Sequence, residues 1–250
     1  MKIEKHVEVP VADGTVLRAN VYRPDAPGRF PVVMAHGVYG KDVHFADAFA
    51  PQWAKLNEIY PGLTKDGSTG RYLRWETVDP ERWVPDGFVV IQVDARGSGM
   101  SPGYLDPFSP LEIRDYFDAI EWAARQPWSN GKVGLAGVSY YAMTQWMVAA
   151  LQPPSLAAII PWEGASDHYR DANYHGGICS NTFFSNWWPR QILPTNMAML
   201  RRSIGIARPV SARRAPRFPR RCSKAIDRPI PSTCRGIRSM TPGIGCTVPI

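Results

Sequence analysis

The stretch KVGLAGVSYYAMTQW (residues 132–146) carries the first candidate for chemistry. An apolar run arrives at Gly137-Val138-Ser139, and a helix-like pattern leaves from Tyr140. A serine hydroxyl is a weak nucleophile until a base takes its proton. A tight strand-to-helix turn exposes it and lets the next amide, here that of Tyr140, receive a developing oxyanion. Gly137-Val138-Ser139 matches the first half of a G-x-S-x-G elbow, with Tyr141 in place of the second glycine. The alternative is a serine that only caps the following helix. A second glycine-containing loop, His36-Gly37-Val38-Tyr39-Gly40, also follows an apolar run. It could supply a further oxyanion donor through the Tyr39 hydroxyl, or simply pack a tyrosine at the sheet edge. His36 reads as structural, because it precedes the serine, whereas such triads run Ser, acid, His. In Asp94-Ala95-Arg96-Gly97-Ser98-Gly99 the carboxylate and guanidinium are expected to pair and fix a loop. That run lacks the lysine and spacing of a phosphate loop.

Elements that could position these groups follow from the pattern. His6 to Val9 and Val16 to Tyr22 alternate around Asp13-Gly14, which predicts a hairpin. Buried parallel strands are predicted at Phe30–Ala35, Gly87–Val93 and Lys132–Val138, and a fourth strand at Leu156–Ile160. Helical spacing covers Asp42–Glu58 and Tyr140–Leu151, and residues 60–80 read as an inserted loop. Ser109, Pro110 and Glu112 predict a capped helix start with a capping box, and Pro127 a stop. Strands alternating with helices imply an α/β fold, a parallel-rich sheet with helices on both faces. Active groups then sit at carboxyl ends of strands, where His36, Asp94 and Ser139 all fall.

Of 250 residues, 44% are hydrophobic, enough for a large core. The start, MKIEKHVEVP, has no apolar h-region, and no window approaches a membrane span, so a cytoplasmic location is expected. The charge is uneven. Residues 201–250 hold eleven Arg and one Lys against Asp227, a net +11, so the formal +7 leaves −4 for the rest. Cys222, Cys234 and Cys246 lie in that tail, with no zinc-like spacing, and Cys179 stands alone before it.

In combination, VIQVDARGSGMSPG, the helix EIRDYFDAIEWAARQPWSNGKVG, GVSYYAMTQW, the N-terminal DGTVLRANVYRPD and the Val38–Lys41 loop resemble the X-Pro dipeptidyl-peptidase and cocaine-esterase (CocE/NonD) serine hydrolases over about residues 5–190. The resemblance implies an α/β-hydrolase core over 1–161, the start of a helical cap over 162–200 and, in whole members, a C-terminal jelly roll. It implies Ser139 as nucleophile, with oxyanion donors from the Tyr140 amide and the Tyr39 hydroxyl. The implied reaction is acyl-bond hydrolysis of X-Pro peptides, esters or acylamides without metal or cofactor. The partner is then a small molecule or short peptide, neither membrane nor specific nucleic acid. Trp162, Tyr174 and His175 are expected to line the substrate site, with Tyr169, Phe183, Trp187 and Trp188 shaping its choice.

The family's acid and histidine lie well downstream of the serine. After Ser139 this chain offers only His168 and His175, and only Asp167, Asp171 and Asp227. No residue among them fits the family's positions, and His175 is the one improvised base. From about Arg201 the chain is rich in Arg, Pro and Ser without apolar periodicity. Such a composition is expected of a disordered tail, which cannot bury enough surface to offset the entropy of ordering, or of a GC-rich coding sequence read out of frame, with the native hydrolase sequence ending near residue 200. A truncated chain of this kind is expected to be weakly active or inactive. A non-catalytic remnant is the alternative, with Arg201-Arg202, Arg213-Arg214 and Arg220-Arg221 giving salt-sensitive polyanion binding.

Overall fold

A computed structural model describes residues 1–65 and 67–196, apart from the side chain of Phe184. The arginine pairs and three cysteines of the tail lie outside the described residues.

The chain opens with the predicted hairpin, β1 (Lys2–Pro10) and β2 (Val16–Arg23). The remaining strands of the main sheet are β3 (Phe30–Gly37), β4 (Val89–Asp94), β5 (Ser129–Val138) and β6 (Leu156–Trp162). Their order is β1-β2-β4-β3-β5-β6. The first two pairings are antiparallel, and β4, β3, β5 and β6 run parallel. This is the predicted parallel-rich α/β sheet.

Alternation along β4 assigns its faces. Val89, Ile91 and Val93 enter the main core with Met34, Leu135 and the apolar face of α4 (Pro110–Ala124), including Ile113, Tyr116 and Ile120. Val90 turns the other way, onto Val84 beside α3 (Pro80–Trp83). The helix α5 (Tyr140–Ala149) leaves directly from β5, and its Val148 joins the main core. Helices therefore cover both faces, as the alternation of elements requires.

Three local expectations are corrected. The helix expected over Asp42–Glu58 is broken into α1 (Phe45–Ala48) and α2 (Ala50–Ile59), with Phe49 at φ −135° and ψ 60° between them. Pro51 is the cause, since proline is tolerated in a first helical turn and not in an interior. Asp94 and Arg96 do not pair with each other. Arg96 instead forms a two-pronged bond with Asp115 of α4 (2.8 and 2.7 Å) and reaches Asp13 (2.9 Å) and the Thr15 hydroxyl (2.7 Å) in the β1–β2 turn. One guanidinium thus ties the hairpin, the β4 end and α4 together. The capping box is also displaced by a residue. Ser109 Oγ accepts from the Glu112 amide (3.2 Å), but Glu112 reaches back to the Phe108 amide (2.6 Å).

After Trp162 the regular sheet ends. Two π-helical turns (His168–Asn173 and Trp188–Ile192), a small hairpin of β7 (Tyr174–His175) and β8 (Ile178–Cys179), and α6 (Asn181–Trp187) follow. Among the described residues no helix is long and apolar enough to cross a membrane.

Arg96→Lys cannot reproduce the two-pronged bond, since an ammonium is a point charge and a guanidinium a planar fork. The expected cost is about 1–3 kcal/mol, read from urea unfolding followed by far-UV circular dichroism.

Candidate active site

Ser139 sits between β5 and α5 with φ 56° and ψ −112°. A non-glycine residue at positive φ is strained by roughly 1–3 kcal/mol and persists only where its surroundings hold it. Hydrogen bonds on both flanks do so here. The Val138 amide donates to the Glu76 carbonyl (3.1 Å), and the Ser139 amide donates to the Trp162 carbonyl (2.9 Å). Its side chain makes no cap bond to α5 and is partly exposed. The backbone therefore departs from ordinary capping geometry, and the hydroxyl is not used to cap. The next amide, Tyr140, is the first of the helix and has no preceding turn to bond.

Tyr141 fills the space where an elbow's second glycine would leave a gap. A Cβ at Gly137 would lie 2.4 Å from Tyr141 Cβ, and one at Gly37 would lie 2.5 Å from the Tyr141 ring. The two glycines make room for the large side chain.

Tyr39 is buried in the loop after β3, with its ring packed edge-on or tilted against Phe49, Tyr140 and Tyr141. Its oxygen accepts from the Trp187 indole N–H (2.9 Å). Burial, reinforced by Glu76, pushes its phenol above the ordinary tyrosine range, which keeps the proton on. Tyr140 is fixed by its own hydroxyl, which donates to Glu112. Burial pushes the Glu112 carboxyl up to about 7 against the pull of that bond.

The Tyr39 loop is anchored two residues on. Lys41 Nζ is buried and lies 2.5 Å from Asp42, 3.3 Å from Asp94 and 3.1 Å from His6 Nδ1. Asp94 also accepts from the Lys41 and Met100 amides (2.6 and 2.9 Å). Burial holds the Asp94 carboxyl above its ordinary range although Lys41 pulls it down. A lysine ammonium can only donate, so His6 Nδ1 must accept and His6 must be neutral in this arrangement. Burial and the Lys41 charge both lower the His6 imidazole.

The other predicted residues divide. Trp162 is brought against the turn, through its carbonyl, with its side chain largely exposed. Tyr174 stacks on Tyr169 (4.6 Å), and His175 bonds the Asp171 carbonyl, both on the small hairpin. A cavity of about 580 Å³ lies along α5, lined by Phe108, Met147, His168, Tyr169, Trp187 and Trp188. Ser139 is not among its lining residues; Trp187 connects it to Tyr39. His36 is fully buried, stacked on Tyr116 at 4.8 Å, with burial pushing its imidazole down to about 3. It is a structural residue. Among the described residues no group of three or more His, Cys, Asp or Glu side chains is arranged to hold a metal.

Sequence reasoning missed Glu76, which it left in the loop over 60–80, and the partnership of Lys41 with Asp94. The signal for the second was present: a lysine directly after Tyr39-Gly40 and an aspartate ending a buried strand.

The profile of the X-Pro dipeptidyl-peptidase (S15) family matches residues 13–229, and so runs past the change of composition near residue 201. Cocaine esterase of Rhodococcus sp. (strain MB1 Bresler) is 32% identical over 186 residues, 74% of this chain and 28% of that protein. A putative Xaa-Pro dipeptidyl-peptidase of Bacillus anthracis is 27% identical over 176 residues, 63% of this chain and 28% of that protein. The crystal structure of a CocE/NonD family hydrolase from Staphylococcus aureus superposes with a TM-score of 0.65 at 42% identity, covering 78% of this chain and 33% of its own. The chain thus spans about a third or less of the length of these relatives.

Lys41→Met leaves Asp94 buried without its cation and is expected to cost about 3 kcal/mol, measured by urea unfolding. For His6 the sign follows from the lowered imidazole. Its contribution is present above the unfolded value of 6.5 and is lost as pH falls through the lower folded value. The fall in Tm from about pH 7.5 to about pH 5 is therefore expected to be larger in the wild type than in His6→Gln, which accepts from Lys41 without titrating. Equal falls would show that His6 does not contribute.

Proposed function

The chain belongs to the X-Pro dipeptidyl-peptidase (S15) family of hydrolases, and from that premise we propose that it carries the nucleophile half of a serine acyl-hydrolase site. The observation that carries this reading is the Ser139 backbone, left-handed at φ 56° and without a capping bond. Strain of this kind presents a serine outward and aims the following amide at the same space.

The reaction runs in two halves. The Ser139 oxygen attacks the acyl carbon while a base takes its proton. The carbonyl electrons move to an oxyanion that the Tyr140 amide and the Tyr39 hydroxyl receive. Collapse of this intermediate forms an ester to Ser139 and expels the leaving group, to which the base returns the proton. Water then repeats the sequence and frees the serine. The substrates are esters, acylamides or X-Pro peptides. The described residues 162–196 are read as the start of a cap, with the aromatic cavity beside Trp187 and the exposed Trp162 on the substrate side.

Each described histidine has another engagement. His6 lies on Lys41, His44 caps α1, His36 stacks on Tyr116, His168 packs on Phe108 and His175 bonds Asp171. No described histidine is assigned as the base. The chain alone is accordingly read as a weak catalyst, with the roughly 10³–10⁴-fold acceleration over water that an oxyanion hole and binding leave when a triad is incomplete.

An uncharged fluorophosphonate probe tests the reading. Slow labelling that maps to the Ser139 peptide, and disappears in Ser139→Ala, is expected. Turnover of p-nitrophenyl acetate is expected to exceed that of Ala-Pro p-nitroanilide, since the phenolate leaves more readily. Labelling at another residue, or none at all, would remove Ser139 as nucleophile.

A further inference from the structure

Asn196 stands out among the groups that the proposed reaction does not use. It lies well after the last strand of the main sheet, yet its side chain bonds two loops that leave strand ends. Its Nδ2 donates to the Val38 carbonyl (2.9 Å) and to the Ile192 carbonyl one turn back (2.9 Å). Its Oδ1 accepts from the Gly99 amide (2.9 Å). Val38 directly precedes Tyr39 in the loop after β3, and Gly99 lies in the loop after β4.

The chemistry of these partners fixes the residue type. Carbonyls only accept and a backbone N–H only donates, so one side chain must offer a donor and an acceptor at the same reach. Asparagine does so; aspartate lacks the donor, and leucine, of similar size, lacks both. The segment that carries Asn196 is itself seated. Ile192 is fully buried and belongs to one apolar cluster with Val38, Tyr39, Tyr140, Tyr141 and Trp187. Thr195 is also buried, with its hydroxyl shared between the Gln191 and Ile192 carbonyls (2.9 and 3.0 Å).

Tyr39 is therefore held at three points. Its oxygen accepts from Trp187, the Lys41 amide two residues on donates to Asp94, and the Val38 carbonyl just before it accepts from Asn196. The Val38 carbonyl and the Tyr39 amide share one rigid peptide plane, so fixing that carbonyl fixes the plane from which the Tyr39 side chain leaves. The Gly99 end has little room to follow a shift. A Cβ at Gly99 would lie 2.3 Å from Asp94 Oδ2, and the next amide, Met100, donates to the same oxygen (2.9 Å). Asn196 thus ties the Tyr39 peptide to the anchored end of β4.

We propose that Asn196 is a positioning residue of the Ser139 site: by fixing the Val38–Tyr39 peptide it holds the Tyr39 hydroxyl where it donates to the oxyanion. The proposal rests on the reading of Ser139 as nucleophile and Tyr39 as oxyanion donor. Asn196 touches no reacting atom, and no proton leaves it. It acts through Tyr39 alone.

The test is a double-mutant cycle on the full chain, read as labelling of Ser139 by the uncharged fluorophosphonate. Tyr39→Phe removes the donor and is expected to lower the maximal labelling rate about a hundredfold. Asn196→Leu keeps the size and loses the bonds to both loops. It is expected to lower that rate about tenfold, because a displaced donor weakens the same interaction. The probe concentration that gives half the maximal rate is expected to stay within about twofold, since the oxyanion forms only as the serine attacks. Added to Tyr39→Phe, Asn196→Leu is expected to change the rate by less than about twofold. Asn196→Ala, which lets water reach the freed backbone groups, is expected to give the same pattern with a smaller loss of stability, and urea unfolding shows that each variant is folded. A purely structural role slows labelling equally in both backgrounds. That outcome, or no slowing in either, overturns the role of Asn196 and leaves Ser139 and Tyr39 standing. Labelling of Tyr39→Phe at the wild-type rate overturns Tyr39 as donor, and the role of Asn196 with it. Absence of Ser139 labelling in the wild type overturns the nucleophile reading and both roles that depend on it.

Discussion

The backbone of Ser139 is the constraint to which its surroundings answer. A serine at φ 56° does not hold itself there, at a cost of roughly 1–3 kcal/mol. Two carbonyls from distant parts of the chain, Glu76 and Trp162, accept the amides of Val138 and Ser139 respectively. Tyr141 then occupies the space over Gly37 and Gly137, so that two adjacent strands are glycine where they face it. Side chains at either glycine would push α5 away from the sheet and relax the turn. The substitution of tyrosine for the usual second glycine is thus balanced by small residues on the strands.

In the proposed site Tyr39 reaches the serine turn from a different strand, its ring packed against Tyr140 and Tyr141. Its loop has no regular structure and is held by ions. Lys41 bridges Asp42 and Asp94, and Asp94 ends the strand beside β3. A buried ion pair of this kind contributes little net stability, because desolvation offsets much of the attraction. Its effect is to fix position: removing either member leaves a buried charge, so the loop has one well-satisfied arrangement. Arg96 performs the same service one loop further on, joining the hairpin turn to α4.

How much was legible depends on whether a feature is local. The strands, α4 with its cap, and the strand–serine–helix unit all follow from patterns within ten or fifteen residues, and the structure contains them. The break between α1 and α2 was also local and was passed over, although Pro51 marks it. The partnerships of Arg96 with Asp115, Lys41 with Asp94, and Glu76 with Val138 join residues 19, 53 and 62 positions apart. No periodicity encodes such pairs. The pairing of Asp94 with Arg96 is inferred from nearness in sequence, but in the fold Asp94 pairs with Lys41 and Arg96 with Asp115 and Asp13.

The Trp187–Tyr39 bond connects the region after the sheet to the loop that carries the proposed oxyanion donor. The indole N–H can only donate, so the Tyr39 oxygen is the acceptor and one of its lone pairs is occupied. The phenolic proton must then be directed elsewhere. Burial keeps that proton bound, and the ring is fixed by Phe49, Tyr140 and Tyr141. A hydroxyl in this state is prepared to donate, and donation is what an oxyanion requires. Trp187 also walls the aromatic cavity along α5, with Phe183 and Phe108 stacked on it. Trp187 thus touches both the aromatic cavity and the Tyr39 oxygen, and in the proposed reading it is a contact between the cap side and the oxyanion donor.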